Sequence, residues 1–176
     1  MAAGVSSTWS NSRPRRPDKT MRAGIITISD TRSGGDDFSG DLLQDLLQQS
    51  GAEIVERLIV TDDLHLIRDL LLTLAERKDI DLVVTTGGTG FGPRDNTPEA
   101  TQAVIEREAP GIAEAMRRET AKSTPMSMLS RGVCGIRSGT LIINLPGSTK
   151  AVDECFRVVE PVLQHAVRLI RGQTRH

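Results

Sequence analysis

Tyrosine is absent from these 176 residues, tryptophan occurs once, and three phenylalanines complete an aromatic share of 2%. A surface that reads nucleic acid by stacking bases on aromatic rings has little to be built from. The formal charge of -1, with no basic stripe in the body of the chain, removes the electrostatic footprint of a backbone binder as well. Cysteine is equally scarce. Cys134 and Cys155 stand in no CxxC spacing and have no histidine pair nearby, which argues against a disulfide scaffold, a zinc site or a redox motif. A reducing, cytoplasmic compartment is the simplest expectation. No run is long and apolar enough to cross a membrane, and none near the start has the apolar centre of a secretory signal.

The length suits one well-buried core, not two comfortable domains. Residues 1–20 are dominated by Ser, Ala, Pro and Arg, with Arg13, Arg15, Arg16 and Lys19 against Asp18 alone. This composition predicts a disordered extension, although a short transit peptide or a start codon upstream of Met21 reads the same way. The folded domain is expected over residues 21–176.

What is abundant is alternation. Ala23 to Ser29, Glu53 to Val60 and Asp81 to Thr85 have the apolar, β-branched character of strands. Between them, Leu42, Leu43, Leu46 and Leu47 recur at helical spacing after Ser39, which can cap the helix, and before Ser50-Gly51, a left-handed stop. Leu64, Ile67, Leu70, Leu71 and Leu74 form a second apolar face behind Thr61-Asp62-Asp63. Helices are expected over Pro98 to Glu108, Pro110 to Lys122 and Lys150 to Arg171, and strands over Arg131 to Ile136 and Thr140 to Leu145 with a hairpin at Arg137-Ser138-Gly139. The pattern predicts a three-layer α/β fold: a mostly parallel sheet, helices on both faces and a small antiparallel excursion. Such sheets bind ligands at the carboxyl ends of their strands.

One of those ends carries Thr86-Gly87-Gly88-Thr89-Gly90-Phe91-Gly92-Pro93-Arg94-Asp95-Asn96-Thr97-Pro98-Glu99. Glycines let backbone approach a ligand and turn N–H groups toward an anion. Thr97 can cap a helix with Pro98 in its first turn. A bare strand-to-helix turn would explain the glycines. Arg94 and Asp95 add a cation for phosphate and an acid for a divalent metal, although the two can equally form a structural pair. The loop is neither a Walker A sequence nor a dinucleotide fingerprint. Ser29 and Asp30 end the first strand, where they are either ligand contacts or an ordinary turn. Asp37 reads as a helix cap or a further metal acid, and Asp62 by itself as an N-cap. Ser130 with Arg131 can hold a phosphate or stabilise structure. His65, His165 and His176 read as surface residues, and both cysteines as packing residues.

Taken in order, these segments resemble the molybdopterin adenylyltransferase family of molybdenum cofactor synthesis, which includes domains of gephyrin and of plant cofactor-insertion proteins. The resemblance runs from Arg22 to Gly172 and is carried by Ser29-Asp30, Asp37-Phe38-Ser39-Gly40, Asp62, Gly87-Gly88-Thr89-Gly90, Arg94-Asp95, Thr97-Pro98-Glu99-Ala100, Met128-Leu129-Ser130-Arg131, Leu145-Pro146-Gly147 and Glu154-Cys155. It implies a homotrimer that transfers AMP from ATP to the terminal phosphate of molybdopterin. In that likeness Asp62 and Asp95 are catalytic, through Mg2+. Ser29, Asp30, Gly87, Gly88, Thr89, Gly90, Arg94, Thr97, Ser130, Pro146 and Gly147 surround the nucleotide and pterin, and a molybdenum-insertion protein is a possible partner. Ser148-Thr149 and Thr61 stand where many members have proline, without loss of a charged group. A non-catalytic pterin-binding or scaffold protein of the same fold is the alternative; a nucleotide hydrolase would need a positioned base for water, and none is evident.

Overall fold

The computed structural model describes residues 20–31 and 35–173. The expected extension, apart from Thr20, lies outside these residues, as do His176 and the centre of the first loop. Six strands, β1 (Met21–Ile28), β2 (Ala52–Val60), β3 (Leu82–Thr86), β4 (Arg107–Glu108), β5 (Cys134–Arg137) and β6 (Thr140–Leu145), form one sheet in the order β2-β1-β3-β6-β5-β4. β2, β1, β3 and β6 run parallel; β5 is antiparallel to β6, and β4 to β5. Five helices accompany them: α1 (Phe38–Gln49), α2 (Leu64–Glu76), α3 (Thr97–Gln102), α4 (Pro110–Thr120) and α5 (Thr149–Ile170).

Side chains on a strand alternate between faces, and both faces here are apolar. Ala23, Ile25, Leu82, Val84, Leu141 and Ile143 pack with Leu43 and Leu47 of α1, Met116 of α4 and Val152, Phe156, Val159 and Leu163 of α5. Intervening Ile26, Val83 and Ile142 pack with Ile67, Leu71 and Leu74 of α2 and Ala100 of α3. Three layers result, as the alternation of elements predicts. The hairpin is also where expected: Ser138 and Gly139 have φ of 47° and 80°, the left-handed pair of a two-residue turn. Gly51, at φ 87°, ends α1.

The sequence misleads in four places, each for a local reason. The helix expected from Pro98 stops at Gln102, and the chain returns as the edge strand β4, whose two residues are too few to show a period. The strand expected from Arg131 begins only at Cys134, because Arg131 turns to the glycine loop. A 3-10 turn, Pro125–Leu129, has no counterpart in the sequence reading. Finally, the caps are displaced. Of the two candidate caps of α1, Ser39 does not serve and Asp37 does, as its reading as a helix cap expected, by accepting from Gly40 N–H at 3.0 Å; Asp63, not Asp62, caps α2 by accepting from Leu66 N–H at 2.8 Å. Asn96 holds the cap position of α3 without a side-chain bond, and the Thr97 hydroxyl points elsewhere.

One buried polar residue joins the edge of the site to the core. Asn144 of β6, 1% exposed, donates to the hydroxyls of Thr85 (3.0 Å) and Thr101 (2.9 Å) and accepts from Val133 N–H at 3.0 Å. An aliphatic residue there would leave Val133 N–H and the Thr85 hydroxyl without this partner, while the Thr101 hydroxyl keeps its bond to Thr97 O at 2.8 Å. Asn144→Leu is therefore expected to lose about 2 kcal/mol or more, seen as a lower urea midpoint at unchanged slope. Among the described residues, no helix is long and apolar enough to cross a membrane.

Candidate active site at the strand ends

Parallel strands deliver their following loops to one edge. β1 leads to Ser29 and Asp30, β2 to Asp62, β3 to the glycine loop and β6 to Leu145-Pro146-Gly147. The glycine loop is fixed by its own backbone. Gly87 N–H donates to Leu145 O at 3.1 Å, Thr97 N–H to Gly88 O at 3.1 Å and Arg131 N–H to Thr89 O at 2.8 Å. Gly87 and Gly88 have φ of 104° and 63°. The amides of Gly88, Thr89 and Gly90 have no acceptor among the described residues, so a set of N–H donors is left for a ligand.

Beside them lies a cavity of about 560 Å3, lined by Gly88, Thr89, Gly90, Asp95, Ser130, Pro146 and Gly147, all of which the sequence singled out. Its size is that of a small-molecule site. Most of the far wall was not anticipated: Met116, Arg117 and Thr120 of α4, Thr124, Met126 and Ser127 at the 3-10 turn, and Lys150 of α5, whereas Leu129 and Glu154 stand in segments that carry the family resemblance. The hydroxyl density of Thr124-Pro125-Met126-Ser127 was the available signal for part of that wall; the α4 residues have helical core spacing and gave none.

The carboxylates gather on the rim next to this cavity. Asp62 Oδ1 is buried without a hydrogen-bond partner, and a Cβ on Gly88 would stand 2.6 Å from it. Burial, followed by the charges of Asp30 and Asp95, raises the proton affinity of Asp62 above the usual carboxylate range, against a lowering influence of Arg94. Asp95 abuts the same loop, since a Cβ on Gly90 would stand 2.9 Å from its Oδ2. Asp30 accepts from Asp62 N–H at 3.1 Å and is gripped by Arg94 at 2.7 Å. The partner of Arg94 is therefore Asp30 and not its sequence neighbour Asp95. Asp95 instead accepts from Gly92 N–H at 2.8 Å, closing the loop on itself.

Several of the singled-out residues serve the loop rather than face the cavity. Thr97 is fully buried, and its hydroxyl donates to Gly87 O at 2.9 Å instead of capping α3. Arg131 donates from Nε to Gly90 O and from Nη2 to Asp95 O, both at 2.7 Å, and pairs with Glu99. Its guanidinium is spent on holding the loop. Asp37 is a cap and a buried anchor, bonded to the Thr27 hydroxyl and paired with Arg57 at 2.8 Å each; it is no rim acid. Ser39 donates to Gly147 O at 2.7 Å and Thr86 to Pro146 O at 2.8 Å, so the Leu-Pro-Gly turn is tied to α1 and β3. Burial pushes the thiols of Cys134 and Cys155 up to about 12 and about 11, which leaves both protonated at neutral pH and unfit as nucleophiles. His65 and His165 are exposed helix residues.

Fold and site together define a three-layer α/β protein with a small-molecule cavity at the carboxyl edge of its sheet. The profile of a family described as a probable molybdopterin binding domain matches residues 24–165. Among curated relatives, a molybdopterin adenylyltransferase of Helicobacter pylori is 41% identical over 158 residues, 88% of this chain and 90% of its own length. The molybdenum cofactor synthesis protein cinnamon of Drosophila melanogaster is 45% identical over 86% of this chain, which spans only 26% of that longer protein. A crystal structure of the molybdopterin biosynthesis enzyme MoaB from Thermus thermophilus superposes with a TM-score of 0.80 at 42% identity, over 87% of this chain and 98% of that one. The chain belongs to the molybdopterin-binding domain family of molybdenum cofactor biosynthesis.

Proposed function

We propose that the protein transfers AMP from ATP to the terminal phosphate of molybdopterin and releases pyrophosphate. The observation that carries this reading is that Asp62 and Asp95 both abut a glycine loop whose amides are left unpaired, beside a cavity large enough for a fused heterocycle. The likeness to the Helicobacter adenylyltransferase over nearly its full length supports it.

The attacking phosphate oxygen is already anionic at neutral pH. It forms a bond to the α-phosphorus while the bond to the bridging oxygen of pyrophosphate breaks, and no proton has to be removed. Lack of a histidine or thiolate at the site therefore fits the chemistry. The obstacle is the repulsion of two polyanions. Gly88, Thr89 and Gly90 supply N–H donors that need no reorganisation, and Lys150, at the cavity wall, supplies an exposed cation 3.9 Å from the carboxylate of Glu154.

Among the described residues, no three His, Cys, Asp or Glu side chains converge into a complete cation site. The two carboxylates against the glycine loop suit Mg2+, which keeps several waters and takes one or two carboxylates together with substrate phosphates. The unpartnered Oδ1 of Asp62 and the carboxylate of Asp95 would hold it. Bound there, it would neutralise charge developing on the departing pyrophosphate. A homotrimer, and a molybdenum-insertion protein as recipient of the product, belong to the same reading. Supplying the purified protein with molybdopterin, α-labelled ATP and Mg2+ should release pyrophosphate and yield a pterin heavier by one AMP. Pterin binding without either product would refute the transfer in favour of a binding protein.

A further inference from the structure

We infer that the open groove on the outer side of the glycine loop seats the purine base of the nucleotide, with the ring of Phe91 as its stacking platform; this rests on the adenylyl-transfer reading. The groove, about 490 Å3, is lined by Phe91, Gly92, Pro93, Asp95, Asn96, Glu99 and Arg131. Asp95 lines this groove and the larger cavity alike. Two substrates occupying the two spaces would thus meet at one carboxylate, which is what a transfer between them requires.

Phe91 is 68% exposed, yet its backbone is held on both sides. Arg131 Nε binds Gly90 O at 2.7 Å, Gly92 N–H binds Asp95 Oδ2 at 2.8 Å and Asp95 N–H returns to Gly92 O at 3.0 Å. An apolar ring displayed on a loop this constrained gains nothing from packing within the chain, whereas a rigid ring loses little entropy when a flat ligand stacks on it. Among the described residues, no other aromatic side chain lines either cavity. Phe156 is 1% exposed in the core, and Phe38, though exposed, belongs to neither wall.

The groove also carries charge of both signs, since Glu99 and Arg131 line it with the ring. Glu99 is held charged, below the usual carboxylate range, by hydrogen bonds from Arg131.

Calorimetric titration with the Mg2+ complex of α,β-methylene ATP tests the assignment. Phe91→Ala is expected to weaken binding about tenfold or more, the scale of a lost base–ring stack, and Phe91→Leu should recover little of it because it restores apolar area without a flat face. Molybdopterin affinity should stay within about twofold of wild type in both. With Trp9→Phe as background, Phe91→Trp should give an indole whose fluorescence the analogue quenches. Wild-type nucleotide affinity in Phe91→Ala, or in Phe91→Leu, would overturn the platform while leaving the transfer reading intact. A wild-type protein that takes up no nucleotide would overturn both, a result visible before any variant is made. Loss of binding that tracks a change in sedimentation coefficient would make Phe91 a subunit contact and overturn the platform too.

Discussion

Asp62→Asn is expected to lose turnover by roughly 100-fold or more and yet to melt at a higher temperature than the wild type when both are free of metal at pH 7. The two effects have one cause. Asp62 Oδ1 is buried without a partner, and Asp30 and Asp95 add like charge, so the folded state binds the Asp62 proton more tightly than the unfolded chain does. A carboxylate with a raised folded-state pKa contributes stability that is complete below its unfolded value, near 3.8, and is lost as the pH rises through the folded value. At neutral pH the ionised group therefore works against the fold, and the neutral amide does not.

The stability gap between variant and wild type should consequently be small at pH 3.5 and widen toward pH 7, measured by thermal melts in chelator. Adding Mg2+ with a non-hydrolysable ATP analogue should raise the melting temperature of the wild type and narrow the gap, since a ligand that binds only the native state stabilises it by mass action. The variant lacks the charge to respond. A wild type already more stable than Asp62→Asn at pH 7 without metal would mean that Oδ1 is satisfied in solution, and the metal assignment would lose its main support. Activity loss by itself could not make that distinction.

How much of this site was open to sequence reading depends on the range of the interactions involved. The first three strands, α1 and α2 are specified by local periodicity, and Ser138-Gly139 and Gly51 by conformations few other residues adopt. They fell where expected. The competition between adjacent acids was not decidable locally: Asp62 and Asp63 are equally good caps by type, and only the turn geometry gives Asp63 to Leu66 N–H and leaves Asp62 for the rim. Arg94 beside Asp95 looks like a pair in one dimension, but its partner is 64 residues earlier. The same holds for Arg131, whose contacts with Gly90, Asp95 and Glu99 exist only once the segment before β5 lies against the glycine loop and the start of α3. Contacts made by α4 to the cavity carry no local signature, because a wall residue and a core residue share one apolar spacing.

The glycine loop offers the sharpest mechanical test of the same site. A Cβ at Gly87 would stand 2.2 Å from Ile28 O, a backbone atom that cannot rotate away, at a φ of 104° that side chains rarely tolerate. Gly87→Ala should therefore destabilise the protein by about 4 kcal/mol, a large part of the roughly 5–15 kcal/mol that holds a domain together. For a chain of this size the melting temperature should fall by about 10 °C or more. The displacement would spread in two directions, because Gly87 N–H binds Leu145 O ahead of the Leu-Pro-Gly turn and Gly87 O receives the Thr97 hydroxyl under the loop. Gly111→Ala is the matched control. Gly111 lies in the first turn of α4, where an added methyl would meet nothing within 4 Å and the φ is an ordinary helical one, so alanine there should be neutral or gain a few tenths of a kcal/mol. If the two alanines melted alike, the close packing of β1, the glycine loop and the Leu-Pro-Gly turn would be wrong, and with it the geometry that brings Asp62 and Asp95 together.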